Sequence, residues 1–428
     1  MRIERLEYDG ADADASAAQI RALGPVGAEA SEPVRELLAR VRDGGEPVVR
    51  ELAKAFGDNL PADLRVDPEE IRVAPAALDD GLREALAVAA ANISRVASAE
   101  LMRLTTPSVY ELDEGQQIEI KASPVAAAGI YAPGGRASYP SSVLMSALPA
   151  RIAGVPRVAV VSPPNDEGRV DPVVLAACAI AAVDEVYALG GPQAIAALAY
   201  GIESVPSVDV IAGPGNRFVT EAKRQVSGTV GIDGLAGPSE LVIVADSTAN
   251  VDWLALDLCA QAEHGPDSPL VVISTDAGLL DRLERRTGEV ASERPSVTEA
   301  TLALVAAPGI LAAIGLADAY ASEHLELAFA GADSAIARER VAGCVFVGQG
   351  GATAFGDYAA GSNHVLPTGG AARFGGPLGP GAFMRRTSVV ALDASAARQL
   401  APHVAAIADA EGLPVHGESA LARAEEAE

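Results

Sequence analysis

The chain has 428 residues, of which 49% are hydrophobic, and this length and apolar content suffice for a buried core in more than one domain. Its 58 acidic and 32 basic residues give a formal charge of −26, which disfavours binding to nucleic acid and to anionic membrane surfaces. We find three cysteines without a CxxC pair, a charged N-terminus and no uncharged apolar run of about 20 residues. The sequence therefore predicts a soluble, cytoplasmic protein.

The N-terminal region is expected to be helical. Residues 1–29 are weakly patterned, whereas segments 34–42 and 46–56 have apolar residues three or four apart. This spacing predicts two amphipathic helices, separated by Asp43-Gly44-Gly45. A longer helix with similar spacing is predicted at 82–96.

A repeated strand–turn–helix pattern follows residue 115. Residues 117–120 alternate like a strand, and four units then lead from a short apolar strand through a Gly/Pro turn into a helix. The predicted strands are 127–131, 158–161, 185–189 and 208–212, and the helices are 142–153, 171–183, 193–200 and 218–226. This alternation predicts βαβ crossovers and a parallel sheet, with ligands bound at the turns beyond the carboxyl ends of the strands.

A second α/β run occupies the C-terminal half. The predicted strands are 241–245, 270–274, 302–306, 345–347 and 388–392, and the helices are 251–264, 394–410 and 418–426. The sequence contains no GxGxxG fingerprint and no GxxxxGK[ST] loop. Motifs of this kind therefore predict neither a standard dinucleotide-binding protein nor a P-loop enzyme.

Two of the five histidines lie in patterns that suit chemistry. Gln261 and His264 are three residues apart on a predicted helix, so both side chains can point at one metal ion; a polar helix end is the alternative. Glu323 and His324 are adjacent titratable groups that suit general acid–base catalysis, and a solvated strand edge is the alternative.

Three further candidates follow. Asp357 and His364 lie in the Gly-rich stretch 349–386, where Asp commonly forms turns and His can satisfy hydrogen bonds of the loop. His416 follows the break at 412–414, close to the C-terminus. By themselves these three residues do not define a site.

Taken together, the motifs of this chain resemble those of the histidinol dehydrogenase family. The matching segments are DGGEP (43–47), GIYAPGG (129–135), GPGNRFVTEAKRQV (213–226), AGPSELVIVAD (236–246), QAEHGPDS (261–268), SEHL (322–325), GDYAAGSNHVLPT (356–368) and EGLPVH (411–416). They cover nearly the whole chain in a constant order. The resemblance therefore favours the functional interpretation of the candidate residues.

The resemblance implies a zinc-dependent enzyme of histidine biosynthesis. Such an enzyme oxidises L-histidinol through a bound L-histidinaldehyde to L-histidine, with two NAD+ in succession. Glu323 and His324 would be catalytic: His324 would remove the alcohol proton, and Glu323 would activate the water that hydrates the aldehyde.

The remaining site residues are carried over from the same resemblance. The ligands of one Zn2+ per subunit would be Gln261, His264, Asp357 and His416. The substrate contacts would be Ser239, Gln261, His264, His324, Asp357, Glu411 and His416. The NAD+ contacts would be Tyr131, Gln193 and Asn216. Nitrogen and oxygen donors of this kind suit zinc.

The expected fold class is α/β, with two incomplete Rossmann-like domains built on parallel sheets. The first domain, on the metal and substrate side, combines 30–125 with 240–380; the second, on the NAD side, spans 126–239. A helical arm at 1–29 and a helical tail at 381–428 complete the chain. The resemblance implies a homodimer in which the tail reaches the partner subunit.

Two other functions stay open from the sequence. A homologous NAD-dependent dehydrogenase could act on another alcohol, such as a sulfopropanediol, although Glu411 and His416 match the histidinol-type tail. The second is a non-catalytic metal-binding α/β protein, against which the adjacent Glu323 and His324 argue. Formation of NADH with histidinol would discriminate between these possibilities.

Overall fold

The computed structural model describes residues 1–24, 30–106, 108–134 and 138–425. Three predicted features extend outside these ranges: the N-terminal arm at 25–29, the first Gly/Pro turn at Gly135 and the C-terminal tail at 426–428. The chain divides into two compact units. Unit 1 comprises Met1–Ser98 with Ala126–Phe383, and unit 2 comprises Ala99–Val125 with Met384–Glu428.

Strands and helices alternate through most of the described chain. The strands are β1 (Arg2–Glu7), β2 (Ser108–Glu111), β3 (Gln117–Pro124), β4 (Ala127–Tyr131), β5 (Arg157–Ser162), β6 (Glu185–Ala188), β7 (Val210–Ala212), β8 (Gly231–Ile232), β9 (Leu241–Ala245), β10 (Leu270–Ser274), β11 (Thr301–Ala306), β12 (His324–Ala328), β13 (Cys344–Val347) and β14 (Met384–Ala391). The helices are α1 (Ala13–Arg21), α2 (Ser31–Phe56), α3 (Pro68–Val73), α4 (Asp80–Thr105), α5 (Pro140–Ile152), α6 (Pro172–Ile180), α7 (Gly191–Tyr200), α8 (Arg217–Val226), α9 (Val251–Ala262), α10 (Ala277–Ser292), α11 (Ile310–Tyr320), α12 (Ser334–Arg338), α13 (Thr353–Tyr358), α14 (Ala394–Ala410) and α15 (Pro414–Glu425). Short 3-10 helices occupy Ala74–Ala77, Ala371–Arg373 and Pro380–Phe383.

The repeated strand–turn–helix units form a parallel sheet in unit 1, as predicted. Within the described residues its strand order is β6-β5-β4-β7-β8, which is the 3-2-1-4-5 order of a Rossmann fold. All of its strand pairs are parallel. The order reverses between β4 and β7, so the loops after these two strands border a crevice at the carboxyl edge of the sheet.

A second parallel sheet in unit 1 has the order β1-β11-β10-β9-β12-β13 in the described chain. Strands β9 to β13 repeat the 3-2-1-4-5 order, and β1 extends the sheet by pairing with β11. The expected N-terminal helix is present as α1, but β1 precedes it, so the arm is not wholly helical. The predicted α/β class with two parallel sheets is confirmed.

Strand β12 has the sequence HLELA and lies between β9 and β13. Leu325 and Leu327 face one side of the sheet, where they join the core formed with α1 and α11. Ala328 faces the other side, where it packs with Leu254 and Leu258 of α9. Because side chains alternate along a strand, His324 and Glu326 share the face that looks towards α9.

The segment before β4 packs differently from the expectation that places 30–125 in the first domain. Helix α2 bends at Gly45, whose φ of 62° and ψ of −148° interrupt the helix between the two predicted halves. Its apolar face packs on α7 and α8, and α3 packs on α6. Buried residues such as Leu37, Val41 and Val49 therefore belong to the core of the five-stranded sheet.

Unit 2 contains the antiparallel sheet β14-β3-β2 and the helix pair α14 and α15. The predicted C-terminal helices are present, but β14 belongs to a sheet, so the segment 381–428 is not only helical. Gly417 allows the two helices to approach closely, because a Cβ at this position would lie 2.9 Å from the Ala405 Cα. Helix α15 thus folds back along α14.

Helix α4 is the one helix of the described residues that is long and apolar enough, by length and composition, to cross a membrane. Its buried residues Leu86, Ala90, Ile93 and Ala97 recur three or four positions apart, which is the pattern of a helix packed on a core. One helix of this kind does not identify a membrane protein.

Candidate active site

The site lies at the amino edge of the six-stranded sheet, where β9 and β12 begin. Ser239 and Glu240 immediately precede β9, Glu323 precedes β12, and His324 is the first residue of β12, paired with Leu241. Glu323 is 6% exposed and His324 is 2% exposed. The alternative of a solvated strand edge is therefore wrong, because β12 is an inner strand and both side chains are buried.

Two donors fix the carboxyl group of Glu323. The Ser239 hydroxyl donates to Oε2 at 2.6 Å, and the Glu240 backbone N–H donates to the same oxygen at 2.8 Å. Burial raises the pKa of Glu323 to about 7, against the opposing effect of the nearby His324. A carboxyl group with a pKa near neutrality can both accept and release a proton during a reaction.

The amide of Gln261 completes this hydrogen-bond chain. Its Nε2 donates to the Ser239 hydroxyl at 2.7 Å, so the orientation of the amide is set by the network. Its Oε1 is buried and accepts no hydrogen bond from the described residues. A buried amide oxygen without a partner is costly, and a bound cation or a substrate amine would satisfy it.

The imidazole of His324 lies between two carboxylates. Its Nδ1 is 3.2 Å from the Glu240 carbonyl oxygen and 3.5 Å from Glu323 Oε2, and its Nε2 is 3.4 Å from Asp357 Oδ1. Burial alone would lower the pKa of His324, but the charges of Glu323 and Asp357 raise it to about 9. The Nδ1–H donates to the carbonyl, so Nε2 is the nitrogen that exchanges a proton with a bound molecule.

The pKa values of Asp357 and His264 are shifted in the directions that suit metal ligands. Burial pushes the pKa of Asp357 upwards, but the hydrogen bond and charge of His324 hold it below its ordinary value. Burial lowers the pKa of His264, which lies within reach of the Asp357 charge. These shifts favour the carboxylate form of Asp357 and the neutral form of His264, which are the forms that bind metal ions.

His364, for which the sequence indicates only a loop role, connects two parts of unit 1. Its Nδ1 is 3.0 Å from the Asp357 carbonyl oxygen, and its Nε2 is 3.1 Å from the Ser142 hydroxyl on α5. The imidazole therefore joins the loop that carries Asp357 to a helix of the five-stranded sheet. Ser142 and Glu240 are contacts that sequence reasoning missed, although Glu240 lies within the matching segment 236–246.

The candidate cofactor residues lie at the carboxyl edge of the five-stranded sheet. Tyr131 ends β4, and its hydroxyl accepts the Gly191 N–H at 3.1 Å. Gln193 in the first turn of α7 donates to Asp58 Oδ2 at 3.3 Å, while its buried Oε1 has no partner among the described residues. Asn216 caps α8 through its side-chain oxygen. Asp58 is a further residue of this edge that the sequence did not indicate.

A buried ion pair holds the turn that leads from β7 to Asn216. Lys223 Nζ donates to the Asp233 carboxylate and, at 3.0 Å, to the Gly213 carbonyl; the Gly213 N–H donates to Asp233 at 2.8 Å. Gly213 has a φ of 112°, and a Cβ there would lie 2.2 Å from the Tyr131 carbonyl oxygen. Only glycine fits this turn, whose backbone the ion pair fixes on both sides.

Replacing Lys223 by Met should destabilise the protein strongly. Both side chains of the pair are 3% exposed, so the variant leaves the Asp233 carboxylate buried without its cation. The expected loss is about 3–5 kcal/mol of the free energy of unfolding, measured by urea denaturation. The exposed Lys54→Met is the matched control and should change the same quantity by less than about 1 kcal/mol. Equal effects of the two substitutions would contradict the structural role.

Glu411 and His416 belong to unit 2. Glu411 is the C-cap of α14, His416 lies in the first turn of α15, and both side chains are exposed. The side chains that the structure brings together in unit 1 are Ser239, Gln261, Glu323, His324 and Asp357.

The described residues contain no group of three or more His, Cys, Asp or Glu side chains arranged to hold a metal ion. The candidate donors are instead the free Gln261 amide oxygen, the Asp357 carboxylate and the exposed His264 imidazole, which lies within reach of the Asp357 charge. This mixed nitrogen and oxygen set fits Zn2+, and three protein ligands leave a position for a further donor.

A parallel sheet of Rossmann order beside a buried carboxyl–imidazole pair is typical of an NAD-dependent oxidoreductase. The comparison with known families identifies the particular one. The family model of histidinol dehydrogenase matches residues 26–424, and the chain belongs to this family.

Individual relatives agree with the family. The chain is 42% identical over 431 residues to the histidinol dehydrogenase of Rhodospirillum rubrum, covering 98% of each sequence. It is 42% identical over 400 residues to that of Pseudomonas aeruginosa, covering 91% of this chain and 90% of the relative. The crystal structure of histidinol dehydrogenase from Elizabethkingia anophelis superimposes with a TM-score of 0.90 at 29% identity, covering 100% of this chain and 98% of the other. The protein is thus an NAD-dependent oxidoreductase of histidine biosynthesis.

Proposed function

We propose that the protein oxidises L-histidinol through a bound L-histidinaldehyde to L-histidine, with zinc and two NAD+ in succession. The observation that carries the proposal is the buried chain from Gln261 through Ser239 to Glu323, with His324 beside it. This hydrogen-bond chain brings together the His324 imidazole, a carboxyl group with a pKa of about 7 and an amide oxygen without a partner among the described residues. In the proposed four-electron oxidation, the imidazole and the carboxyl group exchange protons, and the amide oxygen binds a cation or a substrate amine.

His324 is proposed as the general base. Its Nδ1–H is held by the Glu240 carbonyl, so Nε2 takes the proton of the alcohol once it has released its own proton. Because the pKa of His324 is about 9, this base form becomes the major one only above that pH. The nearby carboxylates stabilise the imidazolium that results. His324 thereby stores the proton while the substrate carbon is oxidised.

Glu323 is proposed to act in the second half of the reaction. The aldehyde must be hydrated before a second oxidation, and a carboxylate is a suitable base for the attacking water. Ser239 and the Glu240 N–H both bind Oε2, so these two bonds leave Oε1 to accept the proton of that water.

The zinc ligands proposed within unit 1 are Gln261, His264 and Asp357. The Gln261 amide oxygen has no partner among the described residues, and the lowered pKa values of His264 and Asp357 favour their metal-binding forms. When bound, Zn2+ would supply a Lewis acid for the substrate, and NAD+ would supply the hydride acceptor. Gln261, His264 and Asp357 also orient the substrate, together with Ser239. The NAD+ contacts proposed are Tyr131 and Asn216, which end β4 and follow β7 at the switch point, and Gln193, which follows β6 at the same edge of the sheet.

We further infer that the enzyme is a cytoplasmic homodimer with a shared site. Unit 2 exposes many apolar side chains, which a second copy of the chain would cover. These are Met102, Leu104, Val109, Tyr110, Leu112, Val389, Val390, Leu392, Val404, Ile407, Leu413, Val415 and Leu421. His416 and Glu411 lie in this unit, and the proposal assigns them to the partner's zinc and substrate. The three cysteines are all free, in agreement with a reducing compartment.

A stoichiometric assay tests the reaction. With L-histidinol limiting and NAD+ in excess, the zinc-loaded protein should form about two NADH and one L-histidine per histidinol consumed, as a four-electron oxidation with a two-electron acceptor requires. Accumulation of free histidinaldehyde with one NADH, or no turnover of histidinol alongside turnover of a sulfopropanediol, would contradict the proposal.

Glu323→Gln should separate the two halves of the reaction. The amide keeps an oxygen for the Ser239 and Glu240 donors but is no base, so oxidation of histidinaldehyde should slow by about 10²-fold or more. The first hydride transfer from histidinol, measured in a single turnover, should slow much less. The exposed Glu263→Gln serves as a control and should leave both half-reactions near wild type. An equal loss in the two half-reactions would refute this division of labour.

A further inference from the structure

Strand β12 carries a second buried acid, two residues beyond His324. Glu326 is 1% exposed, and its Oε1 accepts the backbone N–H of Thr353 at 3.1 Å. Its Oε2 has no hydrogen-bond partner among the described residues. Burying a carboxyl group this deeply costs free energy unless hydrogen bonds compensate for the lost water.

The hydrogen bond joins two elements that carry site residues. Thr353 is the first residue of α13, and Asp357 lies four residues later, one turn along the same helix. Glu326 and His324 share one face of β12. The bond therefore sets how closely the helix that presents Asp357 approaches the strand that presents His324.

A residue of a third element, α9, acts on Glu326 through its charge. Asp257 on α9 lies one turn before Gln261, and its charge acts on the Glu326 carboxyl group. Burial first, and the charge of Asp257 second, hold the pKa of Glu326 well above its ordinary value, while burial raises the pKa of Asp257 to about 6. Both effects favour the neutral form of Glu326, and its Oε1 accepts the Thr353 N–H.

We propose that Glu326 is a positioning residue, which docks the first turn of α13 on β12 and so fixes Asp357 against His324. The Thr353 N–H is one of the first-turn donors that have no acceptor within their own helix, and the Glu326 carboxyl group accepts its hydrogen bond. Strand, metal-binding helix and base then move as one body. The effect on zinc binding rests on the proposed role of Asp357 as a zinc ligand. The docking of α13 on β12 rests only on the Glu326–Thr353 hydrogen bond.

A substitution at Thr353 removes the donor alone. Thr353→Pro deletes the N–H, and proline is favoured at the first position of a helix. Ala352 before it is already extended, with φ −111° and ψ 146°, as a residue before proline must be. Thr353→Val is the matched control, because it has nearly the same volume and keeps the N–H.

The primary measurement is zinc affinity by chelator competition, with kcat beside it. We expect Thr353→Pro to weaken zinc binding and to lower kcat by about 10–100-fold, as loss of an outer contact to a metal ligand commonly does, with the KM for NAD+ unchanged. Thr353→Val should stay within about 3-fold of wild type on both measures. Equal zinc affinities of the two variants would overturn the proposal.

A second pair of variants tests the acceptor, and decides the question if Thr353→Pro fails to fold. Glu326→Gln keeps a carbonyl oxygen and should retain zinc affinity and kcat, whereas Glu326→Leu should lose both. Amide hydrogen exchange of 354–358 should be faster in the Leu variant than in the Gln variant, and this readout needs neither zinc nor substrate. Equal exchange in the two variants would overturn the docking role. A wild-type protein that turns over no histidinol would instead refute the proposed function. Amide hydrogen exchange of 354–358 would still test whether Glu326 docks α13.

Discussion

Replacing His324 by Asn should lower kcat for histidinol oxidation by about 10²–10⁴-fold, the usual range for loss of a positioned general base. The Asn amide can donate to the Glu240 carbonyl in place of Nδ1–H, so the start of β12 should keep its geometry. No basic nitrogen remains where Nε2 lies. The loss should therefore appear in the chemical step, which stopped-flow measurement of the first NADH formed would resolve.

The zinc affinity of His324→Asn distinguishes loss of the general base from general damage to the site. His324 is not among the proposed ligands, so His324→Asn should bind zinc with an affinity close to that of wild type, measured by chelator competition. His403 is exposed on α14, and His403→Asn is the matched control that should leave kcat unchanged. Near-normal turnover by His324→Asn, or loss of zinc in parallel with activity, would refute the assignment.

The periodic parts of the fold could be predicted from the sequence. In the five-stranded sheet, strands β4 to β7 are buried on both faces and each is followed by a Gly/Pro turn, so composition and length mark them locally. Strand β4, for example, has the predicted bounds, and all five of its residues are buried. Such strands are typical of parallel sheets covered by helices on both sides.

Strands β1 and β12 could not be predicted in the same way. The sequence RIERLE of β1 carries four charged residues, and it forms a strand because it pairs with β11 at the sheet edge. In β12, His324 and Glu326 alternate with leucines, which is the pattern of a half-solvated strand, yet both polar side chains are buried. Their burial depends on helices α9 and α13, which are distant in sequence.

The candidate site shows the same limit. The spacing of Gln261 and His264 indicated a shared helix face, but this prediction was wrong, because α9 ends at Ala262 and His264 lies beyond its C-cap Glu263. The bonds from Ser239 and the Glu240 N–H to Glu323 exist only because β9 and β12 are neighbours, with 78 residues between their ends. The site also lies at the amino edge of its sheet, whereas the general rule for parallel sheets points to the carboxyl edge. Strand order, which short motifs do not encode, makes β9 and β12 neighbours.

The second large effect is expected when two inactive variants are mixed. His416 lies in unit 2, on a helix next to exposed apolar residues such as Val415 and Ile407. If the partner supplies His416, then a heterodimer of His324→Ala and His416→Ala has one site with both defects and one site with neither. After full subunit exchange, about half of the dimers are mixed, so activity should approach about one quarter of wild type.

Each variant alone should be nearly inactive for its own reason: His324→Ala lacks the base, and His416→Ala lacks one proposed zinc ligand of four and should bind zinc much more weakly. Subunit exchange must be shown independently, for example by energy transfer between labelled chains. A mixture of His324→Ala with Glu323→Gln is the matched control, because both defects lie in unit 1: the mixed dimer then holds one defect in each site and no intact site. Recovery in the first mixture and none in the second would be expected of a site completed by the partner's tail. Verified exchange without recovery in the first mixture would show that His416 serves its own subunit.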